Sequence, residues 1–150
     1  MRYLTALALV SLPLIAAGQV STVEMDFEDP AQFEQWLPDS DQWAVADGVL
    51  RQSRSSLNGT CCFLPEAFGD VTVEVRFFIH PTGSGVKAPG LIYRAADENH
   101  FYYIHFDSKN SQVVFVRHEL GLGWTAGNTH RHRGVAIAAE QWHTARVEVT

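Results

Sequence analysis

From Gly90 to His118 the chain carries three apolar, aromatic-rich bursts, Gly90–Ala95, Phe101–Asp107 and Val113–His118, and the middle one alternates. The polar turns Ala96–His100 and Ser108–Gln112 separate them. A period of two marks a strand, because successive side chains leave a pleated backbone on opposite sides. In the middle burst this sends Tyr102, Ile104 and Phe106 to one face and Phe101, Tyr103, His105 and Asp107 to the other. The expectation is that the first set feeds a core, while the second, rings beside polar groups, meets a flat polar ligand.

The same period recurs elsewhere. Val23–Phe27 alternates strictly and reads as the first strand, and Pro30–Trp36 as a polar turn or a single helical turn. Trp43–Ala46 and Val49–Gln52 flank Asp47-Gly48, a strong two-residue hairpin signal. Thr60–Leu64 is a short strand closed by Pro65. Val71–Ile79 sets Val71, Val73, Val75 and Phe77 against Thr72, Glu74 and Arg76, and Trp142–Thr150 alternates Ala145, Val147 and Val149 against Arg146 and Glu148. Val135–Ala139 is a further strand candidate. Pro81–Pro89 and Glu119–Arg133 read as loops. Short strands between turn signals, with no amphipathic helix, predict an all-β antiparallel sandwich or barrel. The alternation runs up to Thr150 without a turn, so further strands are expected beyond it.

The first 18 residues read differently. Arg2 precedes an apolar run from Leu4 to Ala17, and Ala16-Ala17-Gly18 supplies the small residues of a signal-peptidase site. The expected organisation is a leader over 1–18 and one domain over 19–150, exported to the periplasm or the medium. After cleavage no apolar run of membrane length remains. The 17 acidic residues outnumber the 10 basic ones left without Arg2, a net −7 that argues against nucleic acid as the main partner. Cys61 and Cys62 are adjacent. A bridge between them would be strained, since their Cα atoms lie about 3.8 Å apart where disulfides want roughly 4.4–6.8 Å. They read as small, partly buried residues or an intermolecular bridge, ahead of a redox switch or a soft-metal site. Asn58-Gly59-Thr60 is a glycosylation sequon.

The order of signals resembles the concanavalin A-like jelly-roll domains, and most of all the laminin-G-like and 3-keto-disaccharide hydrolase domains of exported bacterial proteins. Asp26–Asp29, Trp43–Leu50, Phe68–Glu74, Gly90–Ala95, Asn99–Tyr103 and Gln141–Val149 carry the resemblance. It implies two antiparallel sheets, one with a concave face that binds glycan. On that face Arg94, Phe101, Tyr103, His105, Arg117 and Trp124 are the expected substrate contacts. Rings stack on the C–H faces of sugars, and guanidinium groups bind their hydroxyls. Were the domain to hydrolyse a glycosidic bond, His105, Asp107 and Glu119 would be the acid/base groups. A non-catalytic glycan-binding or structural module is the alternative, and no cofactor is implied.

Two other clusters carry weaker chemistry. Glu24-x-Asp26-x-Glu28 has the spacing by which β-glucanases set carboxylates on one strand face, about 6.7 Å apart along the chain. Charges on an edge strand explain it as well, and Asp26, Glu28 and Asp29 could equally hold a structural calcium ion. His130-x-His132 could place two imidazoles on one side of an extended segment, with His118 or His143 as a third metal ligand, although flanking arginines favour a solvated basic loop.

Overall fold

The computed structural model describes residues 4–11, 22–53, 59–81, 88–120 and 129–150, the side chains of 4–11 excepted. The chain is all-β with antiparallel sheets. Its strands are β1 (Leu4–Ser11), β2 (Leu37–Pro38), β3 (Trp43–Ala46), β4 (Val49–Gln52), β5 (Cys62–Phe63), β6 (Val71–Ile79), β7 (Gly90–Asp97), β8 (His100–Asp107), β9 (Gln112–His118), β10 (Thr129–Arg133) and β11 (Trp142–Val149). Among the described residues the helical content is one 3-10 turn over Pro30–Phe33, capped by the Asp29 carboxylate, which accepts from the Ala31 amide at 2.9 Å. The chain divides into two compact units, 1–54 with 60–78 and 142–150, and 55–59 with 79–141.

The first unit holds a five-stranded sheet in the order β11-β6-β1-β4-β3 and a two-stranded β2–β5 ribbon. Alternation dictates the β6–β11 pair. Val75, Phe77, Ala145 and Val147 share the inward side, where Val75 opposes Ala145 and His143 stacks on Phe77 with centroids 5.3 Å apart. Outward, Trp142 meets Phe78 edge-on and the Arg76 guanidinium lies 5.3 Å from the Trp142 ring. The β3–β4 hairpin turns on Asp47 and Gly48, both in the left-handed region (φ 54° and 66°), as a two-residue type I′ turn requires. Glu28 closes over this turn, so a Cβ on Gly48 would come within 2.6 Å of its carboxylate.

One expectation changes here. Val23–Phe27 is not a laddered strand. Met25 and Phe27 are buried and Glu24 and Asp26 exposed as the alternation predicts, but the Phe27 and Glu28 amides bond the Gln32 and Asp26 side chains rather than a neighbouring strand. Met25 and Phe27 instead form a core with Leu50, flanked by Val23, Phe33, Trp36, Trp43, Val45 and Leu64. The place in the sheet beside β4 is taken by β1, with Leu4 opposite Gln52 and Ala6 opposite Leu50. This strand lies inside the segment read as a leader, whose apolar residues suit a buried strand as well as an export signal.

The second unit is a four-stranded sheet in the order β10-β9-β8-β7. β10 falls within the segment read as the Glu119–Arg133 loop, and Val135–Ala139, expected as a strand, makes no ladder. Gly90 faces the β8 backbone so closely that a Cβ would sit 2.3 Å from the Ile104 carbonyl oxygen. Only glycine fits there. Between Tyr93 and Asp97 the β7–β8 register breaks at a bulge, with Arg94 at φ 48°.

Candidate functional site: two unlike faces of the four-stranded sheet

Residues opposed in register share a face of the sheet, so the pairing assigns every side chain. Tyr103 opposes Ile92 and Val116, and His105 opposes Gly90 and Val114. Phe101 opposes His118 and Asp107 opposes Gln112. Rings run along this side: Phe101 stacks on His118 at 4.5 Å and meets Tyr103 at 6.1 Å, and Tyr103 meets His105 edge-on at 5.7 Å. This is the face expected to bind ligand, yet Phe101 is 2% exposed, Tyr103 5% and Asp107 3%. It is the more deeply buried side, and burial pushes the Tyr103 phenol up to about 12.

The opposite face is the wetter one. Tyr102, expected in the core, is 39% exposed. It opposes Tyr93 on β7, with ring centroids 5.8 Å apart, and Arg117 on β9. Arg117 pairs with Glu119, and both stay partly exposed. Phe115 opposes His130 of β10 with rings 6.2 Å apart, and His132 opposes Val113. Burial raises the Tyr93 phenol, the adjacent Arg94 cation lowers it, and Tyr102 raises it further. Two tyrosines, an arginine and two imidazoles therefore share this side. Of the expected contacts Arg117 lies here and Arg94 is exposed at the bulge beside it, whereas Phe101, Tyr103 and His105 lie on the buried side. Trp124 falls outside the described residues.

Of the proposed acid/base groups, His105 and Asp107 lie on one face close enough to shift each other, and Glu119 lies apart. Burial pushes the Asp107 carboxyl up, but hydrogen bonds from Asn110 and Gln112, together with His105, outweigh it and hold the carboxyl below its ordinary value. It accepts from the Asn110 amide at 3.1 Å, Asn110 Nδ2 at 2.7 Å and Gln112 Nε2 at 2.8 Å. Asp107 thus fastens the β8–β9 turn. Burial holds His105 below its usual value, Asp107 opposes that and Arg131 adds to it, which keeps the imidazole neutral at pH 7. Glu119 lies five residues past Val114, the partner of His105, about 17 Å along the strand direction.

The other clusters are also dispersed. Phe27, at φ 57°, breaks the extended run between Asp26 and Glu28, so Glu24, Asp26 and Glu28 do not line one strand. Asp26 and Asp29 are engaged by local amides, Glu28 N at 3.1 Å and Ala31 N at 2.9 Å. His130 and His132 do share a side, as their spacing suggests, but His118 stacks on the opposite face and His143 lies on β11. Among the described residues, no group of three or more His, Cys, Asp or Glu side chains is placed to hold a metal ion.

Asp39 organises the β2–β5 ribbon. Its carboxylate accepts from Trp43 Nε1 at 3.2 Å, the Cys61 amide at 2.9 Å and the Thr60 hydroxyl. Both cysteines are free thiols. Burial, then Cys61 and Asp39, push the Cys62 thiol up to about 12, which leaves almost no thiolate. Iodoacetamide at pH 8 should therefore modify Cys62 more than about a hundredfold more slowly than free cysteine. Timed mass spectrometry checks this, and alkylation at the free-cysteine rate would show the thiol to be activated.

Comparison with protein-family models, with curated proteins and with solved structures finds no match for this chain. Among the described residues, no helix is long and apolar enough to cross a membrane. The fold and its surfaces define an all-β protein with one buried and one aromatic, basic sheet face.

Proposed function

We propose that this chain is an exported, non-catalytic carbohydrate-binding domain of the concanavalin A-like jelly-roll kind, holding sugar on the exposed face of the β7–β10 sheet. The two antiparallel sheets of five and four strands support the fold reading. The observation that carries the function is the pair of exposed Tyr102 and half-buried Tyr93, 5.8 Å between ring centroids, beside Arg117. Phenol rings offer flat apolar platforms for sugar C–H faces, and a guanidinium offers paired donors to hydroxyls. The separation of Glu119 from His105 and Asp107, and the engagement of Asp107 in the β8–β9 turn, favour binding without bond cleavage, because hydrolysis needs two available titratable groups about one glycosidic oxygen.

A glycan-binding screen tests this. Tyr102→Ala should weaken any hit at least about tenfold, the loss of one stacking platform, and Arg117→Ala should weaken it further. Tyr103→Phe, on the buried side, should leave binding unchanged, and no reducing ends should be released. Binding that survives Tyr102→Ala but fails in Tyr103→Phe would move the site to the other face. Product release would make the chain a hydrolase.

A further inference from the structure

The five-stranded sheet contains a strand that export would remove. β1 lies between β6 and β4, so cleavage after residue 18 would expose the inner edges of both. Three observations show that β1 fits this place imperfectly and that another segment fits it. Gln52, 6% exposed and opposite Leu4, has no hydrogen-bond partner for its Nε2 among the described residues. Val23–Phe27 already lies against β4 through the Met25–Phe27–Leu50 core and alternates buried and exposed like a strand, yet it has no ladder. Phe27 is held at φ 57°, a conformation unfavourable for a bulky residue, with its amide on a glutamine side chain.

We propose that Leu4–Ser11 is a place-holder, and that on removal of the leader Val23–Phe27 moves into the ladder beside β4. The inference rests on reading residues 1–18 as a leader and is independent of the sugar site. Parity constrains the register. If Met25 and Phe27 stay on the side of Leu50, the residues between and before them face the other way, so an acid must oppose Arg51. With Phe27 beside Leu50, Asp26 stands opposite Arg51, an opposite-charge cross-strand pair where Thr5 now sits. Met25 then opposes Gln52 and brings its sulfur, a weak acceptor, to the orphaned amide. Phe27 becomes extended. The leader would thus hold the precursor in a conformation distinct from that of the exported chain.

The test uses the full chain carrying Asp26→Cys and Arg51→Cys with Cys61→Ser and Cys62→Ser. It is compared with the same chain bearing Ala6→Pro and Ala8→Pro, since proline cannot hold an interior ladder position. Under mild oxidation the proline chain should form the 26–51 disulfide at least tenfold faster than the parent. In the cysteine-free background, its Met25 to Phe27 amides should exchange at least tenfold more slowly. The parent chain, folded and then cut at a protease site inserted after Gly18, should behave like the proline chain. A folded proline or cut chain with no gain in cross-linking or protection would overturn the proposal. So would cross-linking just as fast in the parent. Loss of the fold in both altered chains would also overturn it, by making Leu4–Ser11 an integral strand.

Discussion

Asp107→Ala should destabilise the chain by about 2–3 kcal/mol, as the loss of a buried charged acceptor with several hydrogen bonds predicts. The carboxylate is 3% exposed and accepts from two side-chain amides and one backbone amide across the turn that joins β8 to β9. Removing it leaves the turn without its fastening, at Ser111 with φ 50°, where the chain already adopts a disfavoured backbone. Urea unfolding at pH 7 measures the loss, and Asp107→Asn, which keeps one acceptor oxygen, should lose less. The effect carries a pH signature. Asp107 titrates below its unfolded value, so its contribution is present above about pH 4 and disappears as pH falls through the folded value. The gap between wild type and Asp107→Ala should be present at pH 7 and close as strong acid protonates the folded carboxylate. A gap that stays open at pH 2 would assign the loss to packing rather than to the charge.

Phe27→Ala should cost more, about 3–5 kcal/mol, the usual range for emptying a fully buried aromatic site. Phe27 is 1% exposed, packs with Met25 and Leu50, and tilts against Trp36 with centroids 6.1 Å apart. Truncation removes the ring that ties the segment before the 3-10 turn to the β3–β4 hairpin. Part of the loss is offset, because alanine at φ 57° is less crowded than phenylalanine. Phe27→Gly separates the two contributions: it loses the same ring yet relieves the backbone fully. It should therefore be no less stable than Phe27→Ala. A glycine variant clearly weaker than the alanine one would show that the left-handed conformation at Phe27 is not a source of strain.

The hairpin at Asp47-Gly48 and the strands β6 and β11 were legible because each couples a turn signal or a long period-two run to a single buried side, whereas the pairing of β6 with β11 came only from the structure. The choice of wet face on β8 was not. Tyr102 and Tyr103 are the same residue one position apart, and from Ile104 to Asp107 both sides are largely covered, so alternation separates the faces without ranking them. Register ranks them: Tyr103 meets Val116 while Tyr102 meets Arg117. β10 was hidden because His130–Arg133 contains no apolar residue to set a period, and only the ladder to β9 makes it a strand. Val135–Ala139 errs the other way, with Val135 and Ile137 turned inward but no partner strand to bond. Of the three acid/base candidates, alternation brings His105 and Asp107 to one face, while Glu119 lies past the far end of β9, a separation that sequence spacing does not reveal.

The composition of β10 has a bearing on colloidal behaviour. It is the outermost strand on its side of the sheet, and after Thr129 each of its residues is histidine or arginine. An unpaired rim of peptide groups invites a neighbouring molecule to add a strand, and this rim repels its own copy through Arg131 and Arg133. The same four residues that obscure the strand in the sequence load its outer side with charge, which disfavours strand addition by a copy of the chain.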